Sequence, residues 1–256
     1  MKMTKVLFGA AILGLVFGFA SCKQDDDPND MISGSNNNYT LEYTNDGSDV
    51  SRGYNTSTLN HAGALVEIKF TEVSGNGGIM GFIFDYEQTN KKSTFDVIGV
   101  RHDGAYYISK FEDIVDLQAQ NFGAKTTAAD GEPKETEIVA WSNTSPKKLA
   151  NWDSSTKTAY LWIVQSEDGS QYDVYNLTSD MANAVEVKDA NKGKLVYKDT
   201  TKGDVVLPTP LGTIATGYTA QTEKKYGVYA NVYNKSTVKG TWKLLGSYLE
   251  ANVIEE

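Results

Sequence analysis

The chain has one cysteine and two histidines among its 256 residues. A lone Cys22 closes no intrachain disulfide and builds no thiolate zinc site. His61 and His102 stand outside any His-Glu-x-x-His spacing, which makes a zinc-hydrolase reading poor. Lys and Arg number 24 against 33 Asp and Glu, for a net charge of −9. That deficit of cations argues against nucleic acid, whose phosphates require clustered Lys and Arg, and it disfavours electrostatic attachment to anionic lipid. A Gly-Lys-Ser/Thr phosphate loop and a nucleophile elbow are absent, and Gly75 to Gly81 lacks the dinucleotide spacing. No window of about eleven residues carries a helical stripe; short helices are allowed only at Phe111 to Gln120 and at Thr178 to Val185.

What is present begins with an apolar run. Lys2 and Lys5 precede 14 uncharged residues, Val6 to Phe19, followed by Phe19-Ala20-Ser21-Cys22 and the polar Lys23-Gln24-Asp25-Asp26-Asp27. A basic head, a short apolar core and small residues at a cleavage point make a secretory signal, and the run falls short of the ~20 residues of a transmembrane helix. Cys22 stands where a lipobox places the acylated residue. The start of the chain thus resembles a bacterial lipoprotein precursor, and the Phe at position 19 resembles the looser lipoboxes of spirochaetal lipoproteins. The expectation is a signal peptide over 1–21, an acylated Cys22 with a polar tether over 22–38, and a folded domain over 39–256. Each buried methylene of an acyl (palmitate) chain gives ~0.8 kcal/mol, so two or three chains on Cys22 hold a protein durably on a membrane. Lys23 to Asn38 is too polar to offset its ordering entropy. The location this implies is extracytoplasmic, lipid-anchored to an outer membrane or cell surface. After cleavage 235 residues remain and the net charge falls to −11, because Lys2 and Lys5 leave with the signal.

From Tyr39 onward, short alternating runs are separated by turn residues. Val66, Ile68 and Phe70 oppose Glu67 and Lys69, the period-2 pattern of a half-buried strand. Gly78 to Tyr86 is apolar throughout and reads as a central strand covered on both faces. Phe95 to Val100 and Ala105 to Lys110 flank Arg101-His102-Asp103-Gly104, and Asp-Gly is a strong hairpin signal. Thr158 to Val164 with Gln171 to Leu177 form a second expected hairpin. Tyr226 to Tyr233 with Val238 to Leu244 form a third, turning at Asn234-Lys235-Ser236. Glu137 to Trp141, Lys194 to Lys198 and Thr213 to Thr219 are further strand candidates. Many short strands with regular turns make one all-β domain, a sandwich or a barrel.

Gly78 to Tyr86, Phe95 to Arg101, Asp103 to Lys110 and the closing pair Gly227 to Tyr233 and Gly240 to Trp242 together resemble the concanavalin-like, laminin-G-like jelly roll. That resemblance implies an antiparallel β-sandwich that binds carbohydrate or protein, or hydrolyses glycosides. The family's hydrolases place carboxylates on one strand as Glu-x-Asp-x-Glu or Glu-x-Asp-x-x-Glu, ~5 Å apart for a retaining reaction. No Glu in this chain has Asp two residues on; Glu135 and Glu137 share a strand face but Val139 follows. No catalytic residue is therefore assigned.

A sugar site needs an aromatic platform and a few fixed polar groups. Trp162 and Trp242 lie within strands and are expected in the core. Trp152, between Asn151 and Asp153, is the exposed candidate; its alternative is a ring packed under its own loop. Trp141 fits either place. Asn121, in Asn-Phe-Gly, offers an amide or forms a plain turn. Arg101 and Asp103 bracket a hairpin as ligand contacts or as a surface ion pair. For calcium, Asp25-x-Asp27-x-Asn29 lacks the Gly and Glu of a binding loop, and Asn45 to Asp49 offers only a turn with oxygen donors. No metal and no cofactor is expected. The function expected is a membrane-anchored binding module for a glycan or an extracellular protein. The alternatives are an interaction lipoprotein without a small ligand, and a glycoside hydrolase.

Overall fold

The structure, a computed structural model, describes residues 31–35, 37–60, 63–115, 134–165, 170–187, 195–215 and 225–248. The signal peptide, Cys22 and Asn121 lie outside the described residues. Among the described residues fifteen strands and one short α-helix follow in chain order. They are β1 (Ile32–Ser35), β2 (Asn38–Asn45), β3 (Ser51–Asn60), β4 (Gly63–Ser74), β5 (Gly78–Thr89), β6 (Lys92–Arg101), β7 (Tyr106–Ile114) and β8 (Lys134–Val139). Next come β9 (Thr158–Gln165), β10 (Gln171–Leu177), α1 (Ser179–Ala184), β11 (Val185–Val187), β12 (Leu195–Tyr197), β13 (Gly212–Ala215), β14 (Lys225–Val232) and β15 (Ser236–Tyr248).

A seven-stranded sheet runs β1-β2-β15-β4-β9-β10-β13, and a six-stranded sheet runs β3-β14-β5-β6-β7-β8. All pairings are antiparallel. The chain passes from sheet to sheet at each step from β2 to β5, and again from β14 to β15. This is the jelly-roll sandwich expected. Between the sheets lies the main core, where Val66, Ile68 and Trp242 of the larger sheet meet Met80, Phe82 and Val228 of the smaller. Complete burial of such side chains is worth ~1.5–3 kcal/mol each. The outer face of the larger sheet is also covered: Ala182 of α1, Val185 and Leu195 pack over Leu65 and Trp162. Thr178 caps α1, its hydroxyl accepting from the Met181 N–H at 3.2 Å.

β5 is buried on both faces over Gly78–Phe84, as its composition predicts. The hairpins β6–β7 and β9–β10 form as expected. Three readings change. Ile32–Ser35 pairs with β2, and Met31 and Ile32 are 2% and 4% exposed, so the sheet takes in residues assigned to the tether. Met31 and Ile32 join the main core, and the pairing with β2 holds the segment in the sheet. Phe111–Ile114 extends β7 rather than starting a helix, because Phe111 and Ile114 complete the apolar outer face of the smaller sheet. Finally, β14 and β15 do not pair with each other. β14 is held between β3 and β5, and β15 between β2 and β4, so the Asn234-Lys235-Ser236 turn carries the chain across the sandwich.

Candidate site on the outer face of the smaller sheet

Residues directly opposite in neighbouring strands share a face, so the registers order this surface into rows. One row is Arg52–Asn231–Ile79–Arg101, across β3, β14, β5 and β6. The next is Tyr54–Tyr229–Gly81–Gly99–Tyr107. A third runs Thr56–Gly227–Ile83–Val97–Ser109–Glu137. The middle row has a plain logic. Gly81 and Gly99 leave space that the rings of Tyr229 and Tyr107 fill, and the two phenol hydroxyls touch above Gly99. A Cβ on either glycine would fall inside a tyrosine ring's contact radius. Both tyrosines are fully buried, and burial pushes both phenols well above their ordinary pKa.

At the rim the β6–β7 turn presents the charged groups. Gly104 adopts φ +81°, which closes the turn with its N–H donating to the Arg101 carbonyl at 2.8 Å. Arg101 donates from Nε and Nη2 to the two carboxylate oxygens of Asp103, at 2.8 and 2.6 Å. Lys148 donates to the same carboxylate at 2.5 Å and to the Asp103 carbonyl at 3.0 Å. Lys148 is held there because its segment pairs with the start of β7: Tyr106 N–H donates to the Lys147 carbonyl, and Leu149 N–H to that of Gly104. Burial opposes ionisation of Asp103, but the hydrogen bonds from Arg101 and Lys148 outweigh it and hold the carboxyl well below its usual range. The Arg101 guanidinium also lies 5.1 Å over the Trp141 ring. Trp141 in turn meets Tyr107 edge-on at 6.0 Å and donates from its indole N–H to Asn143 at 2.9 Å. Tyr233 completes the group. Burial raises its phenol to about 12, with Arg101 pulling down and Asp103 pushing up.

Of the residues singled out in the sequence, Arg101, Asp103 and Trp141 meet. Trp152 lies on the other side of the turn, half-buried over Gly104 and edge-on to Phe70 at 6.3 Å. Asn151 is tied to Asn176 by two hydrogen bonds of 2.7 and 2.8 Å, and Asp153 caps the turn at Ser155 and Thr156. Trp162 and Trp242 are core, at 1% and 0% exposed. Asn45 donates to two backbone carbonyls and accepts from Gly47, which engages the oxygen-rich turn that follows it. Among the described residues no group of three acidic, histidine or cysteine side chains is arranged to hold a metal ion. Glu135 and Glu137 sit on the edge strand β8, where Glu135 accepts from the Ser109 hydroxyl at 2.8 Å. Lys148, Tyr233, Asn231 and Arg52 escaped sequence reasoning. One signal was available: the chain has only two arginines, Arg52 and Arg101, and both fall in one row.

No known protein family matches the chain, and no curated protein matches it. Among solved structures it is similar to the kappa-carrageenase from Pseudoalteromonas carrageenovora in complex with an oligotetrasaccharide of kappa-carrageenan. That match has 9% identity over 84% of this chain and 83% of that one, with a TM-score of 0.38. It is also similar to a Bacillus licheniformis beta-glucanase, at 11% identity, 82% of each chain and a TM-score of 0.30. A prokaryotic beta-1,3-1,4-glucanase from a mouse hindgut metagenome matches at 11% identity, over 80% of this chain and 83% of that one, with a TM-score of 0.30. At such distance the chain's own side chains, not these proteins, define the site.

Proposed function

We propose that the chain is a lipid-anchored, extracytoplasmic binding module that takes a glycan on the outer face of its six-stranded sheet. The observation that carries this reading is the Arg101–Trp141 stack, locked by Asp103 and Lys148. The part of the half-exposed indole that Arg101 and Tyr107 leave open offers a platform for the apolar face of a sugar ring, and a braced guanidinium and ammonium offer donors for its hydroxyls. Their mutual hydrogen bonds fix these groups before any ligand arrives, which lowers the ordering cost of binding. A binding role suits the face better than hydrolysis, because Gly81, Gly99 and buried tyrosines occupy its middle and its acidic pair stands on the edge strand. The anchor rests on Cys22 and the segment before it.

The test is a glycan array probed with the lipid-free chain beginning at Lys23, which keeps β1. Binding that Trp141→Ala abolishes without unfolding the protein supports the reading. No binding at millimolar ligand transfers the case to an interaction lipoprotein that docks proteins, and release of reducing ends, lost in Glu135→Gln or Glu137→Gln, to a hydrolase. Cys22→Ser tests the anchor separately: retention of that variant in the membrane fraction with lipid label removes it.

A further inference from the structure

Resting on that reading, we infer that the glycan is acidic, with a carboxylate or sulfate group held by Arg52 and a hydroxyl donated to Asn231. The chain contains 24 cations but only two arginines. Both lie in the row Arg52–Asn231–Ile79–Arg101, at its two ends. Arginine differs from lysine in presenting a planar fork of donors that matches a two-oxygen anion. Arg101 is already matched, by Asp103. Arg52 is not. Among the described residues no carboxylate lies within the 4.0 Å of an ion pair; Asp49 attracts it only from farther away. Among the described residues its one side-chain hydrogen bond is a long 3.4 Å contact from Nη1 to the Val50 carbonyl, and its buried Nε has no partner.

Scarcity of acids does not explain this, since the chain has an excess of nine. Lysines on the other surfaces do find carboxylates: Lys239 with Glu42 and Glu72, Lys243 with Glu67, and Lys92 with Asp113. The feature that sets Arg52 apart is its buried Nε, a fork donor without an acceptor, and there an anion from outside finds its place. The second observation is independent. Asn231, directly opposite Arg52, is 1% exposed, and its side-chain oxygen has no donor. Its neighbours Ala230 and Val232 point into the inter-sheet core, so alternation places Asn231 on the outer face beside Arg52. An orphan acceptor next to an orphan donor group fits a ligand that brings both an oxyanion and a hydroxyl, as an acidic sugar does. Three strand spacings of ~4.8 Å separate the ends of the row, about 14 Å in all, so a ligand touching Arg52 and the Trp141 platform is an oligosaccharide.

The experiment uses the full chain in detergent and three size-matched oligosaccharide probes: neutral, uronate-bearing and sulfated. At low salt at least one acidic probe should bind about tenfold tighter than the neutral one, in line with a charge-assisted hydrogen bond. The advantage should vanish between roughly 0.05 and 0.5 M salt as screening sets in. Which acidic probe binds identifies the anion. Arg52→Gln should bring acidic affinity down to the neutral level and leave neutral affinity unchanged. Asn231→Asp, which sets a carboxylate opposite Arg52, should also remove the preference. Equal binding of neutral and acidic probes, or full acidic affinity in Arg52→Gln, overturns the inference while the glycan reading stands. Failure of all three probes overturns both. Should Arg52→Gln not fold, the salt dependence of the unaltered protein decides.

Discussion

Gly99→Ala sets two opposed effects against each other at the centre of the outer face. In an ordinary strand interior, alanine for glycine recovers ~0.5–1 kcal/mol of backbone entropy. Gly99 has no left-handed backbone that would forbid a side chain; it needs space. Its added Cβ would fall within the ring of Tyr107 and against the hydroxyl of Tyr229. Neither ring can swing out, because both are 0% exposed and each hydroxyl blocks the other. Overpacking of this kind costs ~1–3 kcal/mol, so the net effect should be a loss of about 1–2 kcal/mol. For a chain of this size that lowers the melting temperature by roughly 2–8 °C. Urea titration should show a lower midpoint at constant slope, the mark of changed stability rather than changed compactness. In a Tyr107→Leu background the same substitution should cost less, and the difference is the coupling between the two positions. A Gly99→Ala protein as stable as the parent, or more so, would mean that the tyrosines are not nested on the glycines.

Phe82→Ala should cost ~3–5 kcal/mol, since Phe82 is 1% exposed and stacked on Tyr226 at 5.6 Å; a loss under ~1 kcal/mol in denaturant melts would refute its central place. Trp242→Ala should lose stability on the same scale, whereas Trp141→Ala should lose the ligand and little stability, the exposed cation–π contact being worth ~0.5–1 kcal/mol; melts and binding curves of the two variants check the contrast. Because Asp103 is held below the ordinary carboxylate pKa, its contribution to stability is present above ~pH 4 and fades as the pH falls towards its folded value. The gap between the parent and Asp103→Asn should therefore be flat above about pH 5 and narrow below pH 4, and a gap that widens on acidification would contradict the ion pair.

How much of this was legible in the sequence depends on the range of the cause. Strand β5 and the Arg101–Gly104 turn follow from local rules, an unbroken apolar run and an Asp-Gly pair, and both are where the sequence puts them. The β14–β15 hairpin fails for the same reason that it looked convincing. A three-residue connection is short enough for a hairpin, and nothing local says that β3 and β5 already occupy both edges of β14. Arg101 and Asp103 were legible as a pair because they are neighbours in one turn. Trp141 joins them only through β8, and Arg52 joins them only through three successive registers. Such placements depend on long-range pairing, which no periodicity encodes.

The glycines also account for where the polar groups ended up. Two glycines side by side in β5 and β6 let tyrosines lie flat on the sheet, and those rings then seal the centre of the outer face. Charged side chains stand at the margins instead, Glu135 and Glu137 on the edge strand β8 and others in the row nearest the turns, where Lys148 reaches Asp103. That row is where the two arginines stand. Filling the middle with aromatic rings thus stabilises the sheet and leaves its polar groups at the rim.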